Sequence, residues 1–150
     1  MILEIERAIV DRLKTALSPL PVDPLPARGY RFTHAHGAAV VLASRLTASE
    51  VRDTRAAIQE AELVVEIALY ARSLRDGAGV WPMFEAARRA LLSWTPAPGA
   101  TPLRLAEARL ADMEDGVWAL ACEWRTRIAM VPDLEAGAGP LLSRVTFEEV

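Results

Sequence analysis

The sequence predicts an α+β fold, a mixed and mostly antiparallel sheet with two helices packed on one face, and three observations carry that expectation. "AELVVEIALYARSL" (61–74) and "GVWALACEWRTRIAMV" (116–131) repeat apolar residues with a period of two, the mark of a pleated strand with one buried face. The runs 1–17 and 80–94 instead repeat them every three or four positions, as one face of a helix does. A length of 150 residues fits one domain with a core of its own.

In chain order, Ile2, Ile5, Ile9, Leu13 and Ala16 line one side of the first helix, with Glu4, Arg7, Asp11 and Lys14 mostly opposite. Ser18 and Pro19 end it. "PLPVDPLPARG" (19–29) holds four prolines, which lack an N–H for a central ladder, so the stretch suits an extended edge segment. "AAVVLASRL" (38–46) is a strand. "TASEVRDTRAAIQE" (47–60) offers a Thr47/Glu50 capping pair but only Val51 and Ile58 as apolar anchors, and reads as a long charged loop, a class of segment that is more often functional than incidental. In 61–74, Leu63, Val65, Ile67 and Leu69 share a face, and Glu62, Glu66, Tyr70 and Arg72 take the other.

"DGAG" (76–79) turns into the second helix, where Val80, Phe84, Ala87 and Leu91 align and Pro82 falls in the tolerant first turn. After "TPAPGATP", a shorter strand (103–113), an "EDG" turn and the long strand form a hairpin. Residues 1–134 make the core of a single domain; "EAGAGP" (135–140) is a glycine-rich hinge, and "LLSRVTFEEV" (141–150) a short last strand or arm.

The long strand is the conspicuous element. From Val117 to Met130 it would reach about 45 Å, nearly the breadth of such a domain. Trp118, Leu120, Cys122, Trp124, Thr126, Ile128 and Met130 form its apolar face. Ala119 and Ala121, then Glu123, Arg125 and Arg127, form the other. The first half of that second face suits a covered surface; the charged half meets water or a partner.

The net charge of −3 and the lack of a basic run argue against a general nucleic-acid-binding surface. All basic residues but Lys14 are arginine, which fits a GC-rich coding genome and equally fits subunit interfaces, where forked guanidinium pairs are favoured. A single cysteine makes no intrachain disulfide, and the place of Cys122 on an apolar face predicts a buried, inert thiol, as a reducing compartment allows. The N-terminal run mixes acids with apolar residues, unlike a signal peptide, and no stretch approaches the roughly 20 apolar residues that span a bilayer. A soluble, cytoplasmically made chain with no membrane partner is expected.

Catalytic chemistry finds little to stand on. His34 and His36, alternate residues of "THAH", are able to share a metal, but no third ligand is near in sequence. "ADMEDG" (111–116) lacks the alternating oxygens of an EF-hand loop. The two "GAG" triplets have neither the spacing nor the lysine of a phosphate loop, and no G-x-S-x-G occurs. No catalytic, cofactor-binding or metal-binding residue is assigned, and the chain is expected not to be an enzyme.

Residues 61–131 carry a family likeness. "GVWPMFEAARRALLSW", then Pro96, Pro102 and Leu103, then "EDGVWALACEW", form a succession of helix, proline-bearing connector and hairpin ending in an aromatic strand. This succession resembles the Mu-like phage tail-terminator family, with the helix at 2–17 and the strand at 38–46 agreeing in type and order. The arm has no counterpart in the likeness. The resemblance implies a structural virion protein, made in the host cytoplasm, that forms a ring of usually six copies. Such a ring caps the tail tube, stops its growth and joins it to neck or head-completion proteins, with sheath protein a further partner. It implies no cofactor, and genomic DNA passing through the lumen without specific binding; six copies at −3 each total about −18. Another neck ring protein is the alternative, and a small α/β enzyme or ligand-binding domain a third reading.

A closed ring needs two different surfaces on each subunit. Three stretches are therefore expected at subunit or tube contacts: Glu50, Arg52, Asp53 and Arg55, with Glu60, in the charged loop; Glu123, Arg125 and Arg127 on the long strand; and Val145 and Phe147 in the arm. For the long strand a plain solvated sheet face is the competing reading. For the arm it is packing back on its own sheet.

Overall fold

The computed structural model describes residues 1–26, 32, 36–49, 58–112 and 114–131. The elements run α1 (Ile2–Ala16), β1 (Val22–Pro24), β2 (Gly37–Ala48), β3 (Gln59–Ala71), α2 (Val80–Leu91), β4 (Arg104–Asp112), a single 3-10 turn (Glu114–Gly116) and β5 (Trp118–Met130). The strands form one five-stranded sheet in the order β1-β2-β3-β5-β4. Only β1 and β2 run parallel; every other neighbouring pair is antiparallel.

Both helices cover one face of the sheet. From α1 come Ile5, Ile9, Val10 and Leu13, and from α2 Val80, Met83, Phe84, Ala87 and Leu91, all buried. They meet Val41 of β2, Leu63, Val65, Ile67 and Leu69 of β3, and Leu120, Cys122, Trp124 and Ile128 of β5 in a single cluster. Each fully buried large aliphatic side chain contributes on the order of 1.5–3 kcal/mol of transfer free energy. Thr126 is the one polar residue fully inside this face, and its hydroxyl donates to the Thr101 carbonyl at 2.6 Å. Burial pushes the Cys122 thiol up to about 12, so at neutral pH it stays protonated and inert, as its strand position predicts.

Turns and bulges follow local chemistry. Gly79 precedes α2 where the chain passes close to Leu74, whose carbonyl carbon and oxygen would lie 2.5 Å from any Cβ. Asp115 and Gly116 take positive φ (64° and 70°) to close the β4–β5 hairpin. A register shift at Ala43/Arg45 bends β2, and the Glu6 carboxylate of α1 accepts the Ala43 N–H there at 2.9 Å. This contact ties the first helix to the edge of the sheet.

Several bounds differ from the sequence reading. β2 runs on to Ala48 and β3 starts at Gln59, so the charged connection is shorter than 47–60, and Arg72–Leu74 lie beyond the end of β3. α2 ends at Leu91, because the chain turns there toward Leu103, whose N–H donates to the Trp94 carbonyl and whose carbonyl accepts the Ser93 N–H. The proline-rich segment supplies the short edge strand β1.

Replacing Trp124, 1 % exposed at the centre of the core, by alanine is expected to cost about 3–5 kcal/mol in urea unfolding. Leu92→Ala, at a side chain 45 % exposed, should stay within about 0.5 kcal/mol of the parent. The thiol makes a pH prediction. An unfolded chain releases the Cys122 proton near 9.0 while the native chain holds it to about 12, so its contribution is complete below 9 and is lost as pH rises through that window. The urea midpoint should therefore fall more steeply above about pH 9 in the parent than in Cys122→Ala, and equal slopes would contradict it.

Candidate assembly surface on the outer sheet face

The face turned away from the helices divides along its length. Toward the start of β2 it is apolar: Ala38 and Val40 are buried, and the half-buried Tyr70 stacks on Phe32 at 5.7 Å between centroids. The Arg72 guanidinium lies over the other ring of that stack, 5.4 Å from the Phe32 centroid. Ala119 is half-buried and Ala121 exposed, so the expected cover over the first half of β5 is partial.

Toward the end of β5 the same face is charged. Register places Glu62 opposite Arg127, Val64 opposite Arg125 and Glu66 opposite Glu123, while Arg104 lies opposite Arg125 on the other side. Two arginines side by side would repel. Glu62 resolves this by bridging them, with Oε1 3.3 Å from Arg125 Nη1 and Oε2 3.3 Å from Arg104 Nη2. Arg125 also forks onto Glu123 Oε2, at 2.7 Å from Nη2 and 3.0 Å from Nε. That hydrogen bond first, and then the nearby carboxylate charges of Glu123 and Glu62, raise the Arg125 pKa above its ordinary value.

The three long-strand residues singled out by sequence therefore separate. Glu123 and Arg125 belong to a ladder spanning β3, β5 and β4, and are already paired within the subunit. Arg127 is exposed and makes no ion pair among the described residues. It borders a shallow cavity of about 320 Å³ together with Thr47, Ser49, Glu60 and Glu62. Glu62 and Arg104 were not among the expected contact residues, although the even positions of 61–74 do place Glu62 on this face.

The rest of this end of the sheet is open. Ser44–Ala48 of β2 are all exposed, and Leu46, Ile58 and Val131 are large apolar side chains at least a third exposed. The β2–β3 connection and the chain beyond β5 leave from this same end, at Ser49, Ile58 and Val131. Glu50, Arg52, Asp53 and Arg55 of that connection, and Val145 and Phe147 of the arm, lie outside the described residues.

At the opposite end, Leu17, Pro19, Leu20, Gly37, Pro82 and Met83 line a second open cavity of about 520 Å³, with His36 exposed at its rim. Its walls are largely apolar, without convergent titratable groups. His34 lies outside the described residues, among which no group of three metal-binding side chains occurs.

The ladder predicts unequal effects of changing the two arginines. Arg125→Glu would set a third carboxylate beside Glu62 and Glu123 and lower the thermal midpoint. Arg127→Gln, which removes the charge without setting a carboxylate opposite Glu62, would leave it unchanged. Differential scanning fluorimetry at low and high salt distinguishes them, because added salt should narrow the Arg125→Glu deficit; equal midpoints would contradict the pairing.

A family described as Gp37 protein matches residues 9–149. Among solved structures, a chain in the virion of a native gene transfer agent (GTA) particle is similar, with a TM-score of 0.57 at 12 % identity over 83 % of this chain and 94 % of that one. At that identity the likeness shows the fold. No curated protein matches. Since the family match runs from the second half of α1 through α2 and the whole sheet, the chain belongs to the Gp37 protein family.

Proposed function

We propose that this chain is a structural protein of a phage-like virion and, within it, the tail terminator: a subunit of a ring, six copies in the closed form, that caps the tail tube and joins it to the neck. The observation that carries the reading is the gathering of unsatisfied surface at one end of the sheet. Arg127, Leu46, Ile58 and Val131 are exposed there, and from it the chain leaves β2 at Ser49 and β5 at Val131. A subunit that must meet tube and neighbours needs such an end. The similarity in fold to a chain of a virion particle supports a place in the particle, with other virion proteins as partners.

A non-enzymatic role fits the same picture. The described cavities are open at the surface, and the single thiol, Cys122, is buried and protonated. A neck ring protein shares the symmetry and size and remains the second reading; it is favoured if the chain binds the portal complex and not the tube.

The test is tube growth. Polymerising the cognate tube protein with this protein should give shorter tubes bearing a ring at one end in negative-stain images, and unchanged, uncapped tubes would overturn the terminator reading. Arg127→Gln, which leaves the internal ladder intact, should reduce capping without loss of fold. Normal capping by that variant would remove Arg127 from the contact surface.

A further inference from the structure

We infer that the free edge of β4 is a strand-acceptor site whose occupant is the C-terminal segment 141–150 of a second copy of this chain; the inference rests on the ring reading above and names one of its contacts. The sheet has two edges, and they differ. On the β2 side, β1 pairs with Ala39–Val41, the Leu25 N–H reaches the Val41 carbonyl, and Glu6 takes the Ala43 N–H. On the other side all nine residues of β4, Arg104–Asp112, form the border, and no backbone hydrogen bond runs along their outer side among the described residues. Such a row of unpaired N–H and C=O groups is a template for an added strand.

The side chains of β4 specify what fits. Its core-side row is incompletely covered: Leu105 and Ala108 are half-buried and Leu110 is 37 % exposed. Its outer row carries Arg104, Glu107 and Arg109. "LLSRVTFEEV" is ten residues long and strand-like in composition, with Leu141, Val145 and Phe147 at alternate-parity positions from Arg144 and Glu148. One parity would continue the apolar row. The other would bring Arg144 and Glu148 to a row holding Glu107 and Arg109. The register shift at Leu105/Glu107 and the charges of the outer row disfavour indiscriminate edge pairing, so a matched strand is selected.

A second copy is the better donor than the same chain. Beyond the start of β4, the β4 side of β5 is occupied by the connector: the Thr101 N–H donates to the Arg127 carbonyl at 2.9 Å, the Arg127 N–H donates to Thr101 Oγ1 at 2.9 Å, and Ala100 bridges Ile128. A chain leaving at Val131 has this connector between itself and its own β4. A neighbour's arm reaches the free side directly, and donor end and acceptor edge are different surfaces of one subunit, as a head-to-tail contact requires.

Hydrogen exchange on the full-length protein tests this. Light scattering first reports whether the parent assembles; a monomeric parent fails both the ring reading and this inference. In the assembled parent, the 104–112 amides that are not bonded to β5 should exchange slowly, and in Val145→Asp/Phe147→Asp they should exchange at least tenfold faster. Mixing ¹⁵N-labelled variant with unlabelled parent should restore slow exchange on the labelled β4, because the parent arm acts in trans. Rings in which the variant exchanges like the parent would overturn the inference and leave the ring reading standing. Fast exchange in the variant that the parent fails to restore would place the arm on its own sheet and overturn it equally.

Discussion

Thirteen residues of β3 lie against thirteen of β5 without a break in register, from Gln59 against Met130 to Ala71 against Trp118. Side chains on a strand alternate with a period of two, so a slip of β5 by one residue would turn Trp124, Leu120 and Ile128 out to water and drive Glu123, Arg125 and Arg127 into the core. The cost of burying those charges unpaired far exceeds anything the outer face gains by pairing them. This long antiparallel pair therefore fixes which face the helices cover. It also fixes which charges meet across the strands on the other face.

The charged ladder depends on that register and on the strand order. Because β5 lies between β3 and β4, Glu62 is able to reach Arg125 on the adjacent strand and Arg104 one strand further. The ladder is partly exposed, and exposed pairs of this kind contribute little to stability. Its effect is to occupy Glu123 and Arg125 within the subunit. Arg127, one step further along the strand, is left facing outward beside the β2–β3 end, so the boundary between internal and outward-facing charge falls within three residues of one strand.

The sequence made the strongly patterned elements legible. The strands at 61–74 and 116–131 and both helices were readable because each has one apolar face and one polar face, and the inert Cys122 followed from its place on such a face. Sequence pattern does not mark Thr47, Ala48, Gln59 and Glu60 as strand, because the loop end of the β2–β3 hairpin is wetted and alternation disappears where neither face is core. The Glu6–Ala43 contact and the Glu62 bridge to Arg104 lay beyond sequence reading. Each joins elements distant in the chain, and depends on a bulge or a strand order that no local pattern encodes. The likeness carried by 61–131 points to a virion structural protein; the chain belongs to the Gp37 protein family over residues 9–149 and shares its fold with a chain of a virion particle.

The terminator reading puts the assembly contacts at the end of the sheet where β2, β3 and β5 open to solvent. Hydroxyl-radical footprinting of the protein alone and bound to tail tubes measures this directly, because leucine, isoleucine and valine side chains report their own exposure. Leu46, Ile58 and Val131 should lose reactivity on binding, while Leu3 of α1 and Trp81 of α2, 75 % and 39 % exposed on the helical side, should keep it. Protection of Leu3 and Trp81 with Leu46, Ile58 and Val131 unchanged would contradict the account and place the contact on the helices.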